Sequence, residues 1–131
     1  MMKPIPQQIK NRATWLAALR SGEYKQTISV LHRPSVKDDV PDGYCCLGVG
    51  AECAGVERRE LIGNSMSAFN FGGSMQLFKP PESWFAAQYG VSHPLAQTII
   101  MDLMGRNDYG DTFQTIADNL EGAFAKADAG D

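Results

Sequence analysis

Histidine is scarce in this chain, with only His32 and His93 in 131 residues, and cysteine occurs three times, as Cys45, Cys46 and Cys53. A cysteine nucleophile needs a base beside it, and a zinc ion needs donors at coordinating spacing. Two of the thiols are neighbours, where a disulfide is strained, their number is odd, and no CxxC pair is present to grip a metal. The pattern therefore points to reduced, packed thiols and to no metal ligand set. A small cysteine-dependent hydrolase, with Cys45 or Cys46 served by His32 or His93, stands as a second alternative that the spacing does not support.

Long apolar runs are also missing. No stretch approaches the roughly 18 apolar residues of a membrane span, and Met1 to Gln8 lacks the apolar core of a secretory signal, so no membrane partner and a cytoplasmic location are expected. Neither GxGxxG behind a strand nor GxxxxGK[ST] occurs, which removes the commonest phosphate cradles and leaves no expected cofactor. GVGAECAG, Gly48 to Gly55, sits within an apolar helix and has no basic residue to meet phosphate. Asp102, Asp108, Asp111 and Asp118 do not form an EF-hand loop, and turn chemistry accounts for RNDYGD, Arg106 to Asp111. Thr112 to Gly122 has the look of the helix before a DNA-recognition helix, but the nine residues after it carry a single lysine. Sequence-specific DNA binding is therefore rejected.

What is present is an ordinary globular composition, 44% apolar and 21% charged, in a length suited to one core over residues 1–131. The charge is uneven. Residues 1–40 carry seven basic and three acidic side chains, and residues 102–131 two basic and seven acidic. Either the two ends lie together and neutralise each other, or an acidic face attracts a basic partner.

The periodicities predict a helix from about Gln7 to Ser21, started by Pro6 and stopped by Gly22. Ile9, Ala13, Leu16 and Arg20 share one face, with Trp15 and Leu19 beside it. Lys25 to His32 alternates as a half-buried strand with Ile28 and Val30 on one side, and Arg33 to Gly43 is a polar loop. Gly43 to Gly55 reads as a buried helix whose Gly48 and Gly50, at about 1 kcal/mol each, are offset by close approach of another backbone. Ala68 to Phe71 and Met75 to Phe78 suggest a hairpin around Gly72 and Gly73, with a three-residue loop pairing Phe71 with Met75. A short helix from Pro81 ends at Gly90. Another runs from Ser92 to Gly105 with Leu95, Ile99 and Leu103 on one face. The last has Asp111 as N-cap and Phe113, Ile116, Ala117, Leu120 and Phe124 inward. The order predicts a single small α+β domain, helices packed on a short antiparallel sheet or hairpin, with flexible ends at 1–5 and 127–131.

Three blocks, WLAALRSGEYKQT (Trp15 to Thr27), YCCLGV (Tyr44 to Val49) and NDYGDTFQTIADNLE (Asn107 to Glu121), resemble, in order, a pattern shared by small bacteriophage and prophage proteins. The resemblance covers most of the chain. It departs after CCLGV, where Gly50 stands and cysteine returns only at Cys53, and the Gly/Ser/Asn-rich hairpin looks like a local insertion. It brings no catalytic residues with it. It implies a non-enzymatic accessory binder in the host bacterial cytosol, acting against defence by inhibiting a host immune protein. The alternative is a sponge for a nucleotide immune signal, with Arg20, Arg33, Arg58 or Arg59 near Tyr24, Tyr44 or Trp84. Polar and aromatic residues without a core role are the candidate binding set: Tyr24, Gln26, His32, Arg33, Tyr44, Asn107, Asp108 and Tyr109. The oligomeric state is left open, a homodimer included.

Overall fold

A computed structural model describes residues 3–34, 42–62, 64 and 80–130. The described chain forms helices α1 (Pro6–Arg20), α2 (Cys46–Cys53), α3 (Arg58–Leu61), α4 (Pro81–Tyr89), α5 (His93–Asp108) and α6 (Phe113–Asp128), with strands β1 (Lys25–Gln26), β2 (His32–Arg33) and β3 (Gly43–Tyr44). It is a small, mainly helical α+β domain. The expected hairpin and most of the expected loop before Gly43 lie outside the described residues.

Proline opens α1, and the Gln8 side chain accepts from the Ile5 amide at 2.9 Å, holding the first turn. The buried face of α1 differs from the expected one: Arg12, Trp15 and Leu19 point inward, while Ile9 and Ala13 face solvent. Trp15 sets that orientation. Its ring stacks on Tyr89 at 4.8 Å and meets Phe85 and Phe124 edge-on, and its indole N–H donates to the Cys46 carbonyl at 3.0 Å. The buried arginine is accommodated by acceptors from distant elements. Gln8, Asn11 and Arg12 donate to the carbonyls of Ala87, Gln88 and Tyr89, and Arg12 also reaches Gly90, so side chains of α1 satisfy the open carbonyl end of α4. Arg12 further pairs with Asp128 of α6 at 2.8 Å and lies over the Phe124 ring. Arg20 bonds Asp118 and Glu121 of the same helix. The basic start and the acidic end therefore do lie together, and α6 stays helical to Asp128, inside the segment expected to be flexible.

The sheet is mixed rather than antiparallel. β3 is central, with β1 parallel on one side and β2 antiparallel on the other. Lys25 to His32 is not one strand. Past the Thr27 amide, which still donates to the Tyr44 carbonyl at 2.8 Å, the chain leaves the ladder, Ser29 takes a left-handed φ of 72°, and Ile28 is 50% exposed. The cause is hydrogen-bond competition: the Thr27 carbonyl and the Ser29 amide pair with side chains of α5 and are lost to any strand partner.

α2 begins after Cys45, whose sulfur accepts from the Gly48 amide, and it is shorter than the predicted Gly43 to Gly55 because Gly43 and Tyr44 form the central strand. A Cβ at Gly48 would overlap the Leu31 carbonyl, so the expected backbone approach holds there. At Gly50 the neighbour is instead the Trp15 ring. α4 ends at Gly90 with φ 72°, as its sequence predicts. α5 continues through Gly105 to Asp108, and the left-handed residue beyond its end is Gly110. α6 buries the five predicted residues, but its cap is Thr112, which accepts from the Thr115 amide, and not Asp111. Asp111 is committed elsewhere: its amide donates to the Arg106 carbonyl, its own carbonyl accepts from Gln26, and its carboxylate meets Arg106. None of the described helices is long and apolar enough to cross a membrane.

Candidate functional site

The last turn of α5 brings together the three sequence blocks. Asn107 is buried there, and its Oδ1 accepts from Gln26 Nε2 at 3.0 Å and from the Cys46 amide at 3.1 Å. Its Nδ2 donates to the Thr27 carbonyl at 2.8 Å and faces Asp108 Oδ1 at 3.5 Å. Gln26 Nε2 also donates to the Asp111 carbonyl at 2.7 Å. One asparagine thus joins the end of β1, the start of α2 and the α5–α6 connection. The neighbouring Asp108 is exposed and accepts from the Ser29 amide at 2.9 Å, pinning the left-handed turn to the end of α5.

Across the sheet, Gln26, Tyr44 and His32 are register partners. His32 stacks on Tyr44 at 4.5 Å, and Tyr24 meets Tyr44 edge-on at 5.1 Å. His32 Nε2 lies 2.9 Å from Asp42 Oδ2, and the Tyr44 hydroxyl donates to Glu52 at 3.1 Å. Burial, with the nearby Cys53 and Glu52, pushes the Tyr24 phenol up to about 12. Arg33 is exposed and its Nε donates to Thr27 Oγ1. Seven of the eight candidates therefore lie along this sheet and the end of α5. Tyr109, the eighth, projects beside them and is 93% exposed.

Thiol chemistry is disfavoured at this junction. Burial pushes Cys45 up to about 11 and Cys46 well above the ordinary thiol value, so both stay protonated and weakly nucleophilic near neutrality. The cavity between Ser29, Cys45, Met104 and Asp108 is about 10 Å³, room for one water at most. Among the described residues no group of three or more His, Cys, Asp or Glu side chains is placed to hold a metal ion.

Sequence reasoning missed Thr27, Ser29 and Arg12. Thr27 and Ser29 act through backbone atoms, which leave no residue-type signal, and the role of Arg12 depends on acceptors 77 and 116 positions away.

Fold and site together define a small α+β domain built around a buried polar junction, with an exposed aromatic corner outside it. Residues 5–124 match the family described as a domain of unknown function (DUF8296), and the chain belongs to that family. No curated protein and no solved structure matches it.

Proposed function

We propose that this chain is a phage-encoded accessory binding protein that counters host defence by occupying a host immune protein at the Ile28–Ser29–Tyr109 corner. The observation that carries the proposal is Tyr109, an aromatic residue 93% exposed directly after a helix end that Asn107 and Asp108 hold fixed. Tyrosine combines large contact area with little conformational freedom, and it is enriched among the residues that dominate interface energies. Beside it, a left-handed serine costs about 1–2 kcal/mol and is retained on the surface, and such strain tends to collect at functional positions. The exposed Ile28 adds apolar area to the same corner. The nucleotide alternative draws less support, because Arg20 is engaged by two carboxylates and Tyr24 packs its ring against buried Tyr44.

The test is expression of the chain in bacteria carrying single defence systems, followed by phage plating and by calorimetry against the purified immune protein. Restored plating and one stoichiometric complex are expected, and Tyr109→Ala should weaken that complex by about 30-fold or more, the range of a hot-spot residue. Plating unchanged across the defence systems would count against the proposal. A thermal shift with a cyclic nucleotide in place of a protein complex would transfer the function to the sponge.

A further inference from the structure

Gln7, Lys10, Asn11 and Thr14 recur at spacings of three and four residues and so give α1 a polar stripe. The stripe meets the ends of α2 and α4 around a pocket of about 210 Å³, bordered there by Cys53, Gln88 and Tyr89. That is room for about seven water molecules or one small organic ligand. Gln7 Nε2 donates to Asn11 Oδ1 and Asn11 Nδ2 to the Gln88 carbonyl, both at 2.9 Å, so two of the amides are fixed in place. Thr14 Oγ1 donates to the Lys10 carbonyl at 3.0 Å. The Lys10 ammonium and the side-chain amide of Gln88 have no partner among the described residues.

Tyr89 supplies a second, independent observation. It is 1% exposed, its ring stacked on Trp15 and flanked by Trp84, Phe85 and Phe124, surroundings that suit phenylalanine equally well. A buried tyrosine hydroxyl ordinarily finds a hydrogen-bond partner. This one has none among the described residues, although none of their fully enclosed side-chain nitrogens and oxygens lacks a partner. The hydroxyl therefore opens onto free space, and the space that Tyr89 borders is the polar pocket. Burial pushes the phenol well above its ordinary value, so it remains a proton donor.

We propose that this pocket binds a small organic monocarboxylate, its carboxylate shared by the Lys10 ammonium and the Tyr89 hydroxyl and its further oxygens taken by Gln7 and Gln88. The lining selects that chemistry. Among the described residues no Asp or Glu borders the pocket, which together with Lys10 disfavours a cation. A phosphate ester is disfavoured as well, because arginine forks and helix N-termini hold it best, and here the pocket receives the carbonyl ends of α2 and α4. One ammonium with neutral donors matches a single negative charge, where a second would meet the partial negative charges of those helix ends. No described residue of α5 or of the sheet borders the pocket, so it is separate from the Tyr109 corner. Its occupancy therefore stands or falls independently of the proposed host target.

Thermal melts of the whole chain with acetate, lactate, glycerate and gluconate, each at about 10 mM and matched ionic strength, test it, with calorimetry of any acid that shifts the melt. At least one of the acids should raise the melting temperature and bind with a dissociation constant below about 1 mM, while inorganic phosphate and methylammonium leave the melt unmoved. Tyr89→Phe and Lys10→Met should each weaken that binding about tenfold, and Lys10→Arg should retain most of it. Free Tyr89→Phe protein should melt at or above the parent, since its hydroxyl has no protein partner to lose. A chain that answers to none of the acids overturns the proposal, as does an equal response to phosphate or acid binding indifferent to both substitutions. Free Tyr89→Phe protein that melts below the parent, with the acids moving neither, shows a hydroxyl that serves an ordered water only, and that too overturns it.

Discussion

Asn107 has both polar atoms of its side chain engaged inside the fold, and two of its partners are backbone groups with no other bond of comparable quality on view. Replacing it by leucine strands the Cys46 amide and the Thr27 carbonyl, a loss of about 2–4 kcal/mol for two buried polar groups. Urea unfolding of Asn107→Leu should show that drop in midpoint with an unchanged slope. Glycines give a sharper contrast. Gly48→Ala forces a methyl group into the Leu31 carbonyl and should prevent folding or cost more than about 4 kcal/mol, whereas Gly122→Ala, in open space, should stabilise dilute protein by about 1 kcal/mol. Thermal melts of the pair check both signs. The sequence marks Gly48 as a position of close approach, because an apolar helix tolerates glycine only where something packs on it. It marks Asn107 only as a polar turn residue, since nothing local records that its partners are Gln26, Thr27 and Cys46.

Among the elements, the exchange between α1 and α4 is the most consequential. The carbonyl end of a helix carries partial negative charge, and here three side chains of another helix meet it, one of them cationic. Arg12→Met keeps the packing on Phe124 but leaves the Tyr89 and Gly90 carbonyls without their guanidinium donor, so a loss of about 3–5 kcal/mol is expected. Asp128→Asn should cost about 1 kcal/mol or less, because that carboxylate is 42% exposed and water replaces much of what the pair supplies. Chemical denaturation of the two variants separates these magnitudes. Legibility follows the same physics. α6 could be read directly, since its stripe from Phe113 to Phe124 meets an apolar core. In α1 a buried arginine hides the apolar stripe, so periodicity points to the neighbouring face. The strand from Lys25 stops short of its alternating pattern because α5 side chains, and not a neighbouring strand, claim the Thr27 carbonyl and the Ser29 amide.

For the molecule as a whole, the buried thiols set an alkaline limit. Cys45 is raised to about 11 in the folded protein against an ordinary value near 9, and Cys46 is raised as well. A raised folded value means that the stability contribution is fully present below the unfolded pKa and is lost as pH climbs through the folded one. Stability should therefore fall between about pH 9 and pH 11, by up to about 1.4 kcal/mol per pH unit for each thiol that the unfolded chain releases first. Melting temperatures across that window check the slope, and Cys45→Ser, whose hydroxyl can still cap α2, should make it shallower.

The Arg12–Asp128 pair joins positions 116 residues apart, and the core beneath it needs Phe124 from the same late helix. During synthesis the first helix therefore leaves the ribosome long before its charge has a partner, while its tryptophan can meet Phe85 and Tyr89 earlier. Until the last helix emerges, Arg12 lacks its carboxylate and Trp15 lacks the Phe124 side of its packing. Assembly of the domain therefore waits on the last helix and cannot be completed helix by helix as the chain is made.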